Sequence, residues 1–233
     1  MAFIRPYADT DFDATAHICR ETLQPSAKGS PDAVRLAPYI WTHQFTLLSP
    51  STCFVLDDGN GRAVGYCIGA PDITAFCEAY PRYVKDILEG RGKDIGDIRL
   101  FPTDEQLETR APWIDPDTGR ISELCLSQLA FSADLLLLRG YDDLYQQGYR
   151  ATMHIDLLDE FQGKGWGRKL LEKVVGSMKE VEMQAPDEKG TAKGVWLGVG
   201  GENAKVVPFY ERLGFRVVER QQTSTTIIMV RDY

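Results

Sequence analysis

The sequence predicts an α/β protein built on a mixed sheet flanked by helices, and three observations predict it. In the carboxyl part, β-rich runs alternate with amphipathic helical runs and then close on a pair of strands. Near the amino end, two β-rich runs are joined by Asp57-Asp58-Gly59-Asn60-Gly61, whose Asp-Gly and Asn-Gly steps supply the positive φ angles of a tight hairpin. The 233 residues are 43% hydrophobic and 26% charged, enough to bury a substantial core.

Taken in order, residues 2–7 read as a strand ended by Pro6, and Asp9 or Thr10 can cap a helix through about Leu23. After a loop over 25–31, residues 33–48 carry Val34, Ala37, Ile40, Trp41, Phe45 and Leu48 at helical spacing. Residues 52–56 and 62–70 form the hairpin. From 71 to 148, Pro81, Gly90, Gly92, Pro102, Pro112 and Pro116 punctuate short amphipathic pieces such as 82–88 and 124–138, so this stretch reads as a partly helical insertion between strands 3 and 4. The regular rhythm then returns with strand 151–158, a glycine loop, helix 166–183, strand 194–199, helix 205–213 and strands 215–219 and 225–230.

Composition excludes several function classes. No apolar run approaches the roughly 18 residues that cross a bilayer, and the first residues lack the pattern of a signal peptide, so a cytoplasmic protein with access to the nucleus and no membrane partner is expected. Five scattered cysteines without a C-x-x-C pair read as reduced thiols, not a disulfide framework or a zinc site, and no metal-ligand spacing occurs. The formal charge of −8 lacks the basic footprint of nucleic-acid binding and suits a cationic substrate.

The chemistry concentrates in Gln162-Gly163-Lys164-Gly165-Trp166-Gly167, placed between an apolar strand and an amphipathic helix bearing Leu170, Leu171, Val174, Val175 and Met178. Glycines let successive N–H groups converge, and the helix amino end adds positive potential, so the turn suits a phosphate-bearing ligand. A Walker loop would need Ser or Thr after its Gly-Lys, where Gly165 stands, and the spacing is not that of a Rossmann fingerprint.

The run 156–167 resembles motif A of the GNAT acetyltransferases, with Gln162, Gly165 and Gly167 at the motif's positions, and 203–215 resembles motif B, with Asn203, Phe209-Tyr210 and Gly214-Phe215. The segment also looks similar to the acetyltransferase-like domain of O-GlcNAc hydrolases and its stand-alone microbial and fungal relatives. The resemblance implies a GNAT fold with a mostly antiparallel twisted sheet of about seven strands, in one domain spanning 1–233 whose acetyl-CoA-binding core is 149–233. It implies that Leu157 and Leu158 offer backbone groups to the pantetheine arm and that Gln162, Gly163, Lys164, Gly165, Trp166 and Gly167 hold the pyrophosphate. Asn203 and Tyr210 complete the cofactor contacts. Pro208 departs from the pattern: it removes a helix N–H, so the helix is expected to start late.

The implied activity is acetyl transfer from acetyl-CoA to a primary amine of a small molecule, an amino sugar or a protein; the alternative is a module that binds acetyl-CoA without turnover. Tyr210 is the candidate acid for the departing thiolate. On strand 151–158, period-two alternation puts Thr152, His154 and Asp156 on one face, making His154 and Asp156 candidates for accepting the amine proton. Trp113, Tyr80, Tyr83, Glu78, Glu123 and Asp134 are candidate linings of the amine site. A homodimer is compatible with these readings.

Overall fold

The computed structural model describes residues 1–184, 192–220 and 226–233. Its strands are β1 (Phe3–Pro6), β2 (Phe54–Asp57), β3 (Ala63–Ala70), β4 (Tyr149–Leu157), β5 (Gly194–Val199), β6 (Arg216–Val217) and β7 (Ile227–Asp232). Its α-helices are α1 (Phe12–Thr22), α2 (Pro25–Lys28), α3 (Pro31–Trp41), α4 (His43–Leu48), α5 (Ile73–Tyr83), α6 (Asp104–Glu108), α7 (Glu123–Phe131), α8 (Asp142–Gln146), α9 (Trp166–Gln184) and α10 (Val207–Glu211). The strands form one seven-stranded sheet in the order β1-β2-β3-β4-β5-β7-β6. β4 and β5 run parallel and the other neighbours antiparallel, which is the mixed, mostly antiparallel sheet expected.

Alternation along each strand divides the core between the two faces of the sheet. Val55, Tyr66, Ile68 and Ala70 face a cluster shared with α1, α3, α5 and α7. Leu56, Cys67, Ala151 and Met153 face Leu170, Leu171, Val174, Val175 and Met178, the apolar stripe of α9. In the hairpin turn the Asp57 carboxylate accepts from the N–H groups of Gly59 and Gly61, both at positive φ. The same carboxylate is paired with Arg5, which also holds Asp11 and ties β1 to the chain entering α1.

Several elements differ from the sequence expectation for physical reasons. Residues 33–48 are two helices rather than one, because Thr42 leaves helical geometry (φ −132°) and its hydroxyl meets that of Tyr66 on the sheet. The 25–31 loop contains one helical turn, α2. Helix α5 runs through Pro81 and continues as a wider turn over Val84–Gly92, which accommodates the N–H that proline lacks. Burial holds it there: the Tyr80 hydroxyl donates to the Ala130 carbonyl and the Tyr83 hydroxyl to that of Tyr39, both at 2.7 Å. β6 is only two residues long, and α10 begins at Val207 with Pro208 in its first turn, the late start expected. Of the expected strand 225–230, residue 225 lies outside the described residues.

One buried residue sets a pH dependence for the whole fold. His43 is 1% exposed, stacked on Phe12 with ring centroids 3.6 Å apart, and its Nδ1 has no hydrogen-bond partner. Burial first, then Arg20 and Arg91, push its pKa down to about 3 from 6.5. The unfolded chain therefore binds the proton more tightly, and the stability from neutral His43 is complete above pH 6.5 and is lost as pH falls toward 3. A slope of about 1.4 kcal/mol per pH unit is expected across that window. Urea unfolding between pH 7 and pH 4 measures it, and His43→Phe, which keeps the ring on Phe12, should flatten that part of the profile.

Candidate active site

The site begins where two parallel strands part. The β4–β5 ladder runs from Tyr149↔Gly194 to Thr152↔Trp196 and stops, whereas β4 stays paired with β3 to Leu157 and β5 with β7 to Val199. The Leu158 N–H donates to the Val64 carbonyl on the β3 side, so alternation directs the backbone groups of Ile155 and Leu157 into the opening. The Gln162 side-chain amide donates to the Leu157 carbonyl at 2.8 Å and to Asp159 Oδ1 at 3.1 Å, closing the loop against the strand it left.

That loop is a turn over Asp159–Phe161 followed by Gly163 (φ 68°) and Gly165 (φ 80°), a conformation glycine adopts without the penalty of a Cβ. A Cβ built on either would meet nothing within 4 Å, so both amides border open space. Helix α9 starts at Trp166 with no acidic residue in its first turn, leaving the free N–H groups and positive end of a 19-residue helix facing that space. Trp166, Phe161, Leu157 and Leu158 are partly buried against the core that α9 covers, and a Cβ on Gly167 would stand 3.3 Å from the Phe209 ring, so Gly167 lets α10 approach α9. Lys164 is exposed, its ammonium 5.7 Å from the Phe161 ring. The open space beside the two glycines and the α9 amino end, with no acid in its first turn, fit a pyrophosphate.

On the face toward α1 and α3, His154 and Asp156 stand together. Asp156 Oδ2 accepts from the Tyr66 hydroxyl at 2.6 Å and lies 2.9 Å from His154 Nε2; their side chains are 18% and 34% exposed. Tyr66 is fully buried, and its hydroxyl also meets Thr42 Oγ1 at 3.2 Å. Burial, then the Asp156 charge, push the Tyr66 phenol well above its ordinary value and so keep it a donor. The Cys19 thiol beside this pair is pushed up to about 12, first by burial and then by Asp156.

Tyr210 approaches from α10, its ring edge-on to Phe209 (5.1 Å) and Phe215 (5.6 Å). Burial raises its phenol well above the ordinary value, and Asp156 and Cys67 act in the same direction, which places Tyr210 within electrostatic reach of the His154–Asp156 pair. Asn203 is exposed, in the 3-10 turn Gly201–Val206 that precedes α10. At the far end of the opening, Gln24 at the head of α2 and Ser26 in its first turn abut Gly200 and Glu202.

Sequence reasoning missed Tyr66 and Thr42. Their only signal is register, since Tyr66 pairs with Asp156 across β3 and β4. The expected amine-site lining needs correction. Tyr80 and Tyr83 are core residues with both hydroxyls bound to backbone. Glu123 is paired with Arg35 and Asp134 with Arg139, while Trp113 packs on the core and Glu78 lies on the surface. Among the described residues no group of three or more His, Cys, Asp or Glu could hold a metal ion, and no helix is long and apolar enough to cross a membrane.

Residues 137–215 match the acetyltransferase (GNAT) family. The structure is similar to SsHAT, with 24% identity and a TM-score of 0.72 over 99% of this chain and 98% of that one. It is similar to PH1933 from Pyrococcus horikoshii OT3 (14% identity, TM-score 0.53, 100% and 99% covered). It is also similar to the PaiA N-acetyltransferase from Thermoplasma acidophilum in complex with coenzyme A (12%, 0.53, 100% and 99%). The fold is that of these three proteins.

Proposed function

We propose that this chain, whose residues 137–215 match the GNAT acetyltransferases and whose sheet has their fold, is an acetyl-CoA-dependent N-acetyltransferase acting on a primary amine. The observation that carries the reading is the parting of β4 from β5 beyond Thr152 and Trp196, directly ahead of the Gly163–Gly167 loop, with His154 and Asp156 on one side and Tyr210 on the other. Extended pantetheine fits such an opening because its amides pair with the backbone of Ile155 and the N–H of Leu157 as a strand would. The pyrophosphate then reaches the loop amides and the α9 amino end.

In the reaction, an amine arrives as an ammonium with a pKa near ~10.4 and must lose a proton before it is nucleophilic. The His154–Asp156 pair takes that proton, directly or through one water. The nitrogen lone pair attacks the thioester carbonyl, the carbon–sulfur bond breaks, and the thiolate departs. Tyr210, held protonated by burial, donates to the departing sulfur, and the acylated nitrogen gives up its second proton to the resulting phenolate, directly or through one water, which leaves the neutral amide and restores the phenol. The negative charge of Asp156 favours a cationic acceptor over a neutral or anionic one at this point.

The test is a screen of amine acceptors with acetyl-CoA, following free thiol release, beside calorimetry for acetyl-CoA itself. Binding with thiol release supports the enzyme. Binding without release from any amine supports a module that holds acetyl-CoA, and no heat at millimolar concentration on folded protein removes both readings.

Tyr66 acts through Asp156 rather than on substrate. Tyr66→Phe keeps the buried ring but removes the 2.6 Å donor and leaves Thr42 without its partner. A fall in stability of about 1–3 kcal/mol is expected by urea unfolding, as for a buried polar group that loses its bond. With the carboxylate less firmly aimed, kcat should fall about tenfold, the effect of a small misplacement of a catalytic group, while acetyl-CoA affinity holds.

A further inference from the structure

The acceptor reading can be carried to a chemical class, because a cavity lies on the same face of the sheet as His154 and Asp156. It encloses about 150 Å³ between the carboxyl-terminal strands and the segment leading into α8, with Tyr141, Val218, Arg220 and Ile228 in its walls. That volume admits a compact apolar group.

Arg220 is its polar feature. The side chain is 12% exposed, and its Nη2 donates to the Gly140 carbonyl and the Asp143 carboxylate. Its Nη1 is buried and has no partner. A buried guanidinium nitrogen without an acceptor is strongly unfavourable, and a charged donor binds a carboxylate about twice as strongly as a neutral group. Arg110 adds a second positive charge near Tyr141, so Asp143 does not neutralise the region by itself. The Tyr141 ring lies 5.1 Å from the Arg220 guanidinium carbon and fixes its plane.

Tyr141 and Ile228 connect the walls of the cavity to the strand that borders the opening. Trp196, in the last rung of the β4–β5 ladder, stacks on Tyr141 with centroids 4.7 Å apart. Two residues further along β5, Gly198 is exposed, and a Cβ there would stand 3.0 Å from Thr226 Cγ2 and 3.7 Å from Ile228 Cδ1. Continuing the Thr152↔Trp196 register sets Gly198 across the opening from His154, and Gly198 pairs with Ile228 on β7. Gly198, with no side chain of its own, thus lies between His154 and the Thr226 and Ile228 wall of the cavity. Two strand spacings, roughly 10 Å, are the least that separates His154 from that wall, and the parting of β4 from β5 lengthens that span.

From this geometry we infer that the acceptor is an ω-amino carboxylate: its amine meets the His154–Asp156 pair, an apolar chain crosses Gly198, and its carboxylate is bound by Arg220 Nη1 in the cavity beside Tyr141. The inference rests on the acetyltransferase reading for the amine end. The carboxylate end stands on the cavity alone. The acidic site at one end and the cationic one at the other also fix the direction in which the molecule lies.

The experiment compares 6-aminohexanoate and 8-aminooctanoate with hexylamine, octylamine and the corresponding ω-amino amides, at saturating acetyl-CoA, with thiol release as the readout. In the native protein the carboxylates should exceed the alkylamines and amides in kcat/KM by about ten- to a hundredfold, the range of one charge-assisted hydrogen bond. Arg220→Gln should erase that preference through the acceptor KM, with acetyl-CoA affinity and alkylamine turnover unchanged. Val218→Phe, which fills the cavity and leaves the Arg220–Asp143 pair intact, should do the same, so a folding defect in one variant does not decide the matter. Octanoate, lacking an amine, should bind the acetyl-CoA complex by ligand-observed NMR and lose binding in both variants. Equal use of carboxylate, amide and alkylamine, or carboxylate preference surviving in both folded variants, overturns the assignment. If octanoate binds through Arg220 but no amine releases thiol, the acetyltransferase reading fails and the carboxylate site stands; if alkylamines turn over and octanoate does not bind, the reverse holds.

Discussion

Gly165→Asp is expected to weaken acetyl-CoA binding by about two orders of magnitude while the chain stays folded. The added Cβ meets nothing within 4 Å, so no clash is introduced. The backbone at φ 80° costs an aspartate on the order of 1 kcal/mol, since its short side chain is among those that tolerate the left-handed region. The larger effect is charge. A carboxylate ~5 Å from a phosphate in a site of effective dielectric ~20 repels it by about 3 kcal/mol, roughly a hundredfold in Kd. Gly165→Ala isolates the backbone share and should lose about tenfold or less. Gly176→Asp makes the same charge change on an exposed part of α9 and should leave binding unaltered. Calorimetry on the three variants reads the difference; an unchanged Kd for Gly165→Asp would mean that the pyrophosphate sits elsewhere.

Tyr210→Phe is expected to lower kcat and kcat/KM together by about ten- to a hundredfold, with acetyl-CoA affinity and melting temperature nearly unchanged. The ring contacts to Phe209 and Phe215 survive in the variant, so packing is retained. What disappears is one donor toward the departing sulfur, an interaction made only as the carbon–sulfur bond breaks. General acid catalysis contributes about 10²–10⁴, and partial replacement of the phenol by water lowers the expected loss. Because burial holds the phenol well above its ordinary value, the native rate should not fall through loss of this proton up to at least pH 10. A Phe variant that keeps full kcat, with chemistry shown to limit the rate, would make Tyr210 a packing residue.

How much was legible differs between the two halves of the molecule. The glycine loop, α9 and the strand before them could be read from sequence because each is a local device: glycines at positive φ, an apolar stripe at helical spacing, and alternation along β4 that separates His154 and Asp156 from Ile155 and Leu157. The late start of α10 followed from one chemical fact, the missing N–H of Pro208. The 71–148 stretch resisted the same reading. Its helices are set by burial of Tyr80, Tyr83 and Leu88 against α3 and α7, which overrides the local signal of Pro81 and Gly90. Tyr80, Tyr83, Glu123 and Asp134 looked like site residues for that reason: an aromatic or acid in an irregular segment carries no mark of whether it is turned inward or already paired.

The sequence by itself determined the fold class, the hairpin at Asp57–Gly61, the order of the carboxyl-terminal elements and the loop that borders open space at the head of α9, since these depend on residues close together in the chain. Tertiary structure alone decided where β4 leaves β5, that the Tyr66 hydroxyl from β3 and Thr42 from the break before α4 converge on Asp156, and that Arg220 is left with a free nitrogen in a cavity against Tyr141. Each of these joins groups tens of residues apart. Such contacts follow from strand register and from which helices cover which face, and neither is written in any one segment.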